Sequence, residues 1–221
     1  MKYSLLDELK EEYKNSLDSK MIWAKSQVDL AYNYILQYIE KEASVGNSFA
    51  TISLDIIQQY LKETVSKDDG YFIVQSFISK FESDGYYKVF NKKRLSFSLY
   101  GWDVPWVFGL DSTNENRNLY NSYRSAIMDS DNSFEKCRIL FLEHIYSGIK
   151  DCCINAKDYY TENLNFRVIF KDKYSDYVSM SGADIGKLFN KIRKDIEESG
   201  IEVNMLTYNL ILLGGWSKKD N

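Results

Sequence analysis

The sequence predicts an α+β fold built as a tandem duplication of one unit: helix, long helix, strand, helix, β-hairpin. Three observations predict it. Two segments closing on tryptophan, residues 95–102 and 209–216, lie 114 positions apart, close to half of the 221-residue chain. Apolar residues recur at helical spacing at matching places in both halves. Gly85 and Gly200 stand where the last helix of each half should stop, because glycine accepts the left-handed conformation that ends helices.

Taken in order, Leu5, Leu9 and Tyr13 mark a short amphipathic helix, matched by Leu119, Tyr123 and Ile127. Ser19 and Ser133 sit at the junctions that follow, where a serine can cap the next helix. The long helix over residues 20–43 turns Val28, Ala31, Ile35, Tyr38 and Ile39 to one face. The 114-residue offset carries these to Leu142, Ile145, Ile149, Cys152 and Cys153. Residues 49–53 read as a strand and resemble 166–170 at a slightly larger offset. The next stretch varies, helical over 55–64 and a turn with a short strand over 172–180. A helix over 70–84 carries Ile73, Val74, Phe77 and Phe81, answered by Leu188, Phe189, Ile192 and Ile196. A hairpin closes each half. The expected domains are residues 1–104 and 115–221, with 105–114 as a connector.

Composition fits a protein with a sizeable core. Hydrophobic residues make up 44% and charged residues 27%, and 18 Tyr, 12 Phe and 4 Trp speak against disorder. The single proline, Pro105, and the wealth of Tyr, Asn, Lys and Ile point to an AT-rich genome. A net charge of −4 gives no broad attraction to nucleic acid or anionic membrane. The start of the sequence turns acidic within seven residues and no apolar run approaches membrane length, so a cytoplasmic location is expected. Cys137, Cys152 and Cys153 are an odd set without a disulfide or Cys-x-x-Cys pattern, and read as reduced thiols, with Cys152 and Cys153 buried.

Residues 85–102 and 200–216 repeat a helix end, then Gly-Tyr or Gly-Ile, then a strand closing on tryptophan. In this they resemble small phage-encoded α+β proteins, without pointing to a specific family. The resemblance implies a phage or mobile-element origin and brings no catalytic residues with it.

Catalytic, cofactor and metal motifs are not found. Cys137, His144 and Asp151 share a helix face, but seven-residue steps place them about 10 Å apart, too far to share an ion or a proton. His144, the only histidine, reads as a solvated helix residue. No phosphate-binding glycine loop or nucleophile elbow is present. The expectation is therefore a non-enzymatic protein-binding module, a virion or assembly component or an inhibitor of a host protein. Trp106 and Phe108, in the apolar stretch after Pro105, are the candidate partner contacts. The alternative is nucleic-acid binding through a basic, aromatic hairpin: Lys92, Lys93 and Arg94 beside Tyr87.

Overall fold

A computed structural model describes residues 5–108, 114–163, 180–205 and 210–217. The fold is α+β, and the chain forms two compact units, Met1–Trp102 and Asp103–Asn221. In the first, α1 (Leu5–Ser44) is followed by β1 (Phe49–Ser53), α2 (Leu54–Gln58), α3 (Lys67–Ser83), β2 (Tyr87–Asn91) and β3 (Ser96–Tyr100). In the second, α4 (Pro105–Phe108), α5 (Asn114–Asp129) and α6 (Ser133–Ile154) precede β4 (Tyr159–Asn163), α7 (Gly182–Glu198), β5 (Glu202–Met205) and β6 (Leu210–Gly214). Among the described residues no helix is long and apolar enough to cross a membrane.

The first unit departs from expectation at its start. Instead of two helices, α1 is one helix of 40 residues, about 60 Å long. Ser19 does not cap a second helix; its hydroxyl donates to the Asn15 carbonyl one turn back at 2.9 Å. No glycine or proline lies within α1, so nothing in the sequence interrupts it. Its inner face, Ala24, Val28, Ala31, Ile35, Ile39 and Ala43, is buried. The rest of the core comes from Ile73, Val74, Phe77 and Phe81 of α3 and from Ala50, Ile52, Phe97 and Leu99 of the sheet. That sheet is antiparallel in the order β1-β3-β2. Helix α2 occupies only the first half of the helical stretch expected over 55–64, and starts where the Ser53 hydroxyl accepts from the Ile56 amide.

In the second unit the helix does break. Ser130, Asp131 and Asn132 all prefer caps and turns to helix interiors, and the Asn132 side chain accepts from the Glu135 amide at 3.1 Å. The cap is therefore Asn132 rather than Ser133. Helix α5 folds back beside α6 and buries Leu119, Tyr120, Tyr123 and Ile127. The core of this unit joins Phe141, Leu142, Ile145 and Ile149 of α6 to Leu188, Phe189, Ile192 and Ile196 of α7 and to Tyr160, Ile211 and Leu213 of the sheet. The strand pairing with the final strand is β4. The stretches 166–170 and 172–180, expected as a strand and as a turn with a short strand, lie outside the described residues apart from Met180.

The two sheets follow one plan. The second has the order β4-β6-β5, in which the first strand of the unit pairs with the last, as in β1-β3-β2. Phe49 pairs with Tyr100, which pairs with Tyr87; Tyr159 pairs with Gly214, which pairs with Glu202. Trp102 donates its indole N–H to the Asn47 carbonyl at 2.8 Å, and Trp216 donates to the Lys157 carbonyl at 2.9 Å. Each acceptor stands two residues before its strand. Helices α3 and α7, both of 17 residues, begin alike: Ser66 and Ser181 accept from the amides of Asp69 and Asp184.

The pairing of the long helices at an offset of 114 does not hold. Helix α1 ends at Gly46 (φ 84°), where the Asn47 amide bonds the Glu42 carbonyl. Helix α6 ends at Ala156 (φ 53°), where the Lys157 amide bonds the Cys152 carbonyl. Both are the same six-residue closure. Counted from it, Ile35, Ile39 and Val28 answer to Ile145, Ile149 and Arg138, not to Ile149, Cys153 and Leu142. The sequence alignment was one helical turn out. A turn of slippage keeps the apolar face in phase, so helical spacing alone could not detect it.

Candidate functional site

The feature that both units carry outward is the corner where the long helix ends and the first strand begins. In the first unit Val45 and Phe49 stand there, 66% and 57% exposed; in the second, Ile154 and Tyr159, 77% and 59% exposed. Local chemistry fixes each corner. The left-handed residue turns the chain, the helix-end bond to the carbonyl five residues back locks it, and the tryptophan N–H ties down the residue that stands two before the strand. Ala156 holds the turn without glycine's freedom, at a cost of about 1–2 kcal/mol. Each corner thus offers an aliphatic and an aromatic side chain on rigid backbone, an arrangement that loses little entropy on contact.

Beside the second corner, an open cleft of about 850 Å³ runs between α6 and β4, lined among others by His144, Asp151, Cys152, Tyr160 and Glu162. The Tyr160 hydroxyl donates to Glu162 at 2.9 Å, and the His144 Nε2 lies 3.3 Å from the same oxygen. Burial, with Glu162 beside it, pushes the Tyr160 phenol well above its ordinary range, so it stays protonated near neutrality. His144 is therefore not simply solvated: a strand residue 18 positions on binds it. Asp151 shares the cleft, whereas Cys137 is buried in the core. Cys152 is half-buried, and Cys153, expected to be buried, is exposed in the last turn of α6.

A cluster that sequence reading missed lies inside the second unit. Arg138, 1% exposed, reaches Asp195 and Asp103 at 2.7 Å and Glu135 at 3.0 Å. Lys191 closes on the other Asp195 oxygen at 2.5 Å. Burial opposes the charge on Arg138, but Asp103, Asp195 and Glu135 outweigh it and hold the guanidinium above its ordinary range. No sequence motif marks such a cluster, since Asp103, Arg138 and Asp195 stand far apart in the chain and meet only in the folded unit.

The other expected site residues are placed as follows. Lys92, Lys93 and Arg94 are exposed in the β2–β3 turn, and among the described residues none pairs with a carboxylate. Lys92 lies over the Tyr71 ring at 5.6 Å, and Tyr87, at the far end of β2, meets Tyr100 at 5.5 Å. Trp106 is half-buried against the core of the second unit, with its ring 6.2 Å from Tyr146 and its N–H bonded to the Ser199 hydroxyl. Pro105 takes the first position of α4, where its missing N–H costs nothing. The Phe108 side chain lies outside what is described. No three His, Cys, Asp or Glu residues among those described are grouped to hold a metal ion. No protein family, curated protein or solved structure matches the chain.

Proposed function

We propose that the chain is a non-enzymatic protein-binding module, made of two copies of one ancestral unit, that contacts its partner through the twin helix–strand corners. The observation that carries this reading is an exposed aromatic at one structural position in both units, Phe49 and Tyr159, each accompanied by an exposed aliphatic residue at the end of the preceding helix, Val45 and Ile154, which stand one position apart in that count. Exposed apolar side chains on rigid backbone favour association, and aromatics dominate binding energy where they dock. A repeated surface suits a partner with repeated or two-fold features. A virion or assembly component fits that requirement, as does an inhibitor of an oligomeric host protein. Phage or mobile-element origin belongs to this proposal through the resemblance of the two tryptophan-closed segments. Trp106 serves the second unit's packing in this reading rather than the partner.

The test is affinity capture followed by calorimetry with the purified partner. Phe49→Ser and Tyr159→Ser should each weaken binding by about 1–2 kcal/mol or more and leave the melting temperature within a degree or two, as expected of exposed hot-spot residues. Unchanged affinity in the double variant would overturn the proposal. The alternative, nucleic acid at Lys92, Lys93 and Arg94, gives the opposite pattern: the corner variants bind normally, replacing the three basic residues with alanine abolishes binding, and affinity falls steeply with salt.

A further inference from the structure

We infer that the outer face of the first unit's sheet is a track for single-stranded nucleic acid, a second ligand beside the protein partner at the corners rather than a substitute for it. Residues paired across neighbouring strands project to the same face. On the inner face Ala50, Ile52, Phe97 and Leu99 join the core. On the outer face Tyr87 pairs with Tyr100, and their rings lie 5.5 Å apart. In the next row Val89, 61% exposed, pairs with Ser98, whose hydroxyl bonds that of Thr51 at 2.8 Å. No charged residue stands on this face. From Tyr87 to Asn91 it runs about 14 Å. It ends at the β2–β3 turn, where Lys93 and Arg94 are exposed and, among the described residues, without a carboxylate partner.

Charge selects the ligand. The whole chain carries −4, yet residues 86–102 hold Lys88, Lys92, Lys93 and Arg94 and no carboxylate. The strands of the second unit reverse this, with Glu162 and Glu202 and no cation. Two sheets of one plan have thus acquired opposite charge. Lys88 is engaged by Glu82 at 2.5 Å and Lys92 lies over the Tyr71 ring, which leaves Lys93 and Arg94 for an incoming anion.

Lysines that guard a sheet edge need only oppose a neighbouring strand. They do not account for an aromatic pair at the opposite end of an uncharged face. A single strand uses both ends: its bases stack on the tyrosine rings and its phosphates meet the cations, with no carboxylate between them to repel it. A duplex keeps its bases stacked on one another, so only unpaired bases can reach the rings.

Fluorescence anisotropy of labelled oligo(dT) and oligo(U) with the full chain tests the track, and near-ultraviolet circular dichroism verifies that each variant is folded. At low salt the wild-type chain should bind single strands about tenfold or more tighter than a duplex of the same length, with affinity falling as salt rises. Val89→Glu sets a negative charge at an exposed position midway along the face and should weaken binding by about tenfold or more. Tyr87→Ala with Tyr100→Ala should do the same, as the loss of one stacked base would. Lys93→Ala with Arg94→Ala should flatten the slope of log affinity against log salt by about 1.4, the share of two phosphate contacts on a single strand. Lys187→Ala with Lys194→Ala, which removes exposed cations of the second unit, should leave binding unchanged. A wild-type chain that binds neither oligonucleotide at low salt overturns the inference, as does an affinity indifferent to Val89→Glu. A duplex bound as tightly as a single strand, or an equal loss from Lys187→Ala with Lys194→Ala, would reduce the contact to diffuse charge and overturn the track. Tyr159→Ser should spare oligonucleotide binding and Val89→Glu should spare the protein partner, so either ligand can fail alone.

Discussion

At the scale of single residues, Arg138 has the greatest leverage. A guanidinium presents donors in a rigid planar fork, which is why one side chain can serve Asp103, Glu135 and Asp195 from three directions. The position answers to Val28 in the first unit, so an ion cluster stands where an apolar residue suffices elsewhere in the same chain. Removing the cation takes the guanidinium from Asp103, Glu135 and Asp195 and leaves Asp195 its bond to Lys191. Arg138→Ala should lower stability by about 3–5 kcal/mol, and Arg138→Lys should recover only part of that, since an ammonium cannot reproduce the fork. Urea denaturation monitored by tryptophan fluorescence would check both. A loss below about 1 kcal/mol for Arg138→Ala would show that water or rearrangement already satisfies the carboxylates. The cluster was not legible in the sequence because nothing in one helix announces a partner 57 positions away on another. The same holds for His144, whose partner Glu162 comes from a strand that its polar composition disguised.

Among the elements, helix positions were legible and helix ends only in part. The apolar spacing of α3 and α7 found both helices, and every core residue expected of them is buried. What spacing cannot fix is phase along the axis, hence the one-turn error in α6. It also cannot say whether two amphipathic stretches form one helix or two. That choice rests on the few residues between them: Asn15, Ser16, Leu17, Asp18 and Ser19 continue α1, whereas Ser130, Asp131 and Asn132 end α5. The starts of α3 and α7 carry a readable signal, serine followed three residues later by aspartate. In each, the serine hydroxyl also donates to the aspartate, at 2.8 Å in one and 2.6 Å in the other. Ser66→Ala and Ser181→Ala should each cost about 0.5–2 kcal/mol in denaturant titrations. Asp69 is held below the ordinary carboxylate range by its bonds to Lys20 and Ser66, and Asp184 by its bonds to Ser181 and Lys187. A carboxyl with a depressed folded-state pKa stabilises the fold above its unfolded value, and the contribution is lost as pH falls through the folded value. The penalty of either serine variant should accordingly be largest near neutrality and shrink in acid. A penalty that does not change with pH would mean that the aspartates take no part in the caps.

For the whole molecule, the closing glycines and tryptophans were the legible part of the plan, and the strand registers and helix-end closures that match across the units became visible only in three dimensions. The units differ at one pair of positions matched by the helix-end closures. Counted from the helix ends, Tyr38 of α1 answers to Gly148 of α6, and Ala50 of β1 answers to Tyr160 of β4. One unit places the large side chain on the helix and the small one on the strand, and the other reverses them. At Gly148 a Cβ would overlap the Tyr160 ring. If the two units descend from one packing plan, the second should accept the first unit's arrangement. Gly148→Tyr alone should be destabilising by overpacking, by about 1–3 kcal/mol or more, and Tyr160→Ala alone should cost about 3 kcal/mol through the cavity it leaves. Combined, the tyrosine on α6 would enter the space vacated on β4, so the double variant should be more stable than the sum of the single losses by about 1 kcal/mol or more. A double-mutant cycle in urea measures that coupling directly. Strictly additive losses would mean that helix and strand meet differently in the two units, and that the shared plan stops at the backbone.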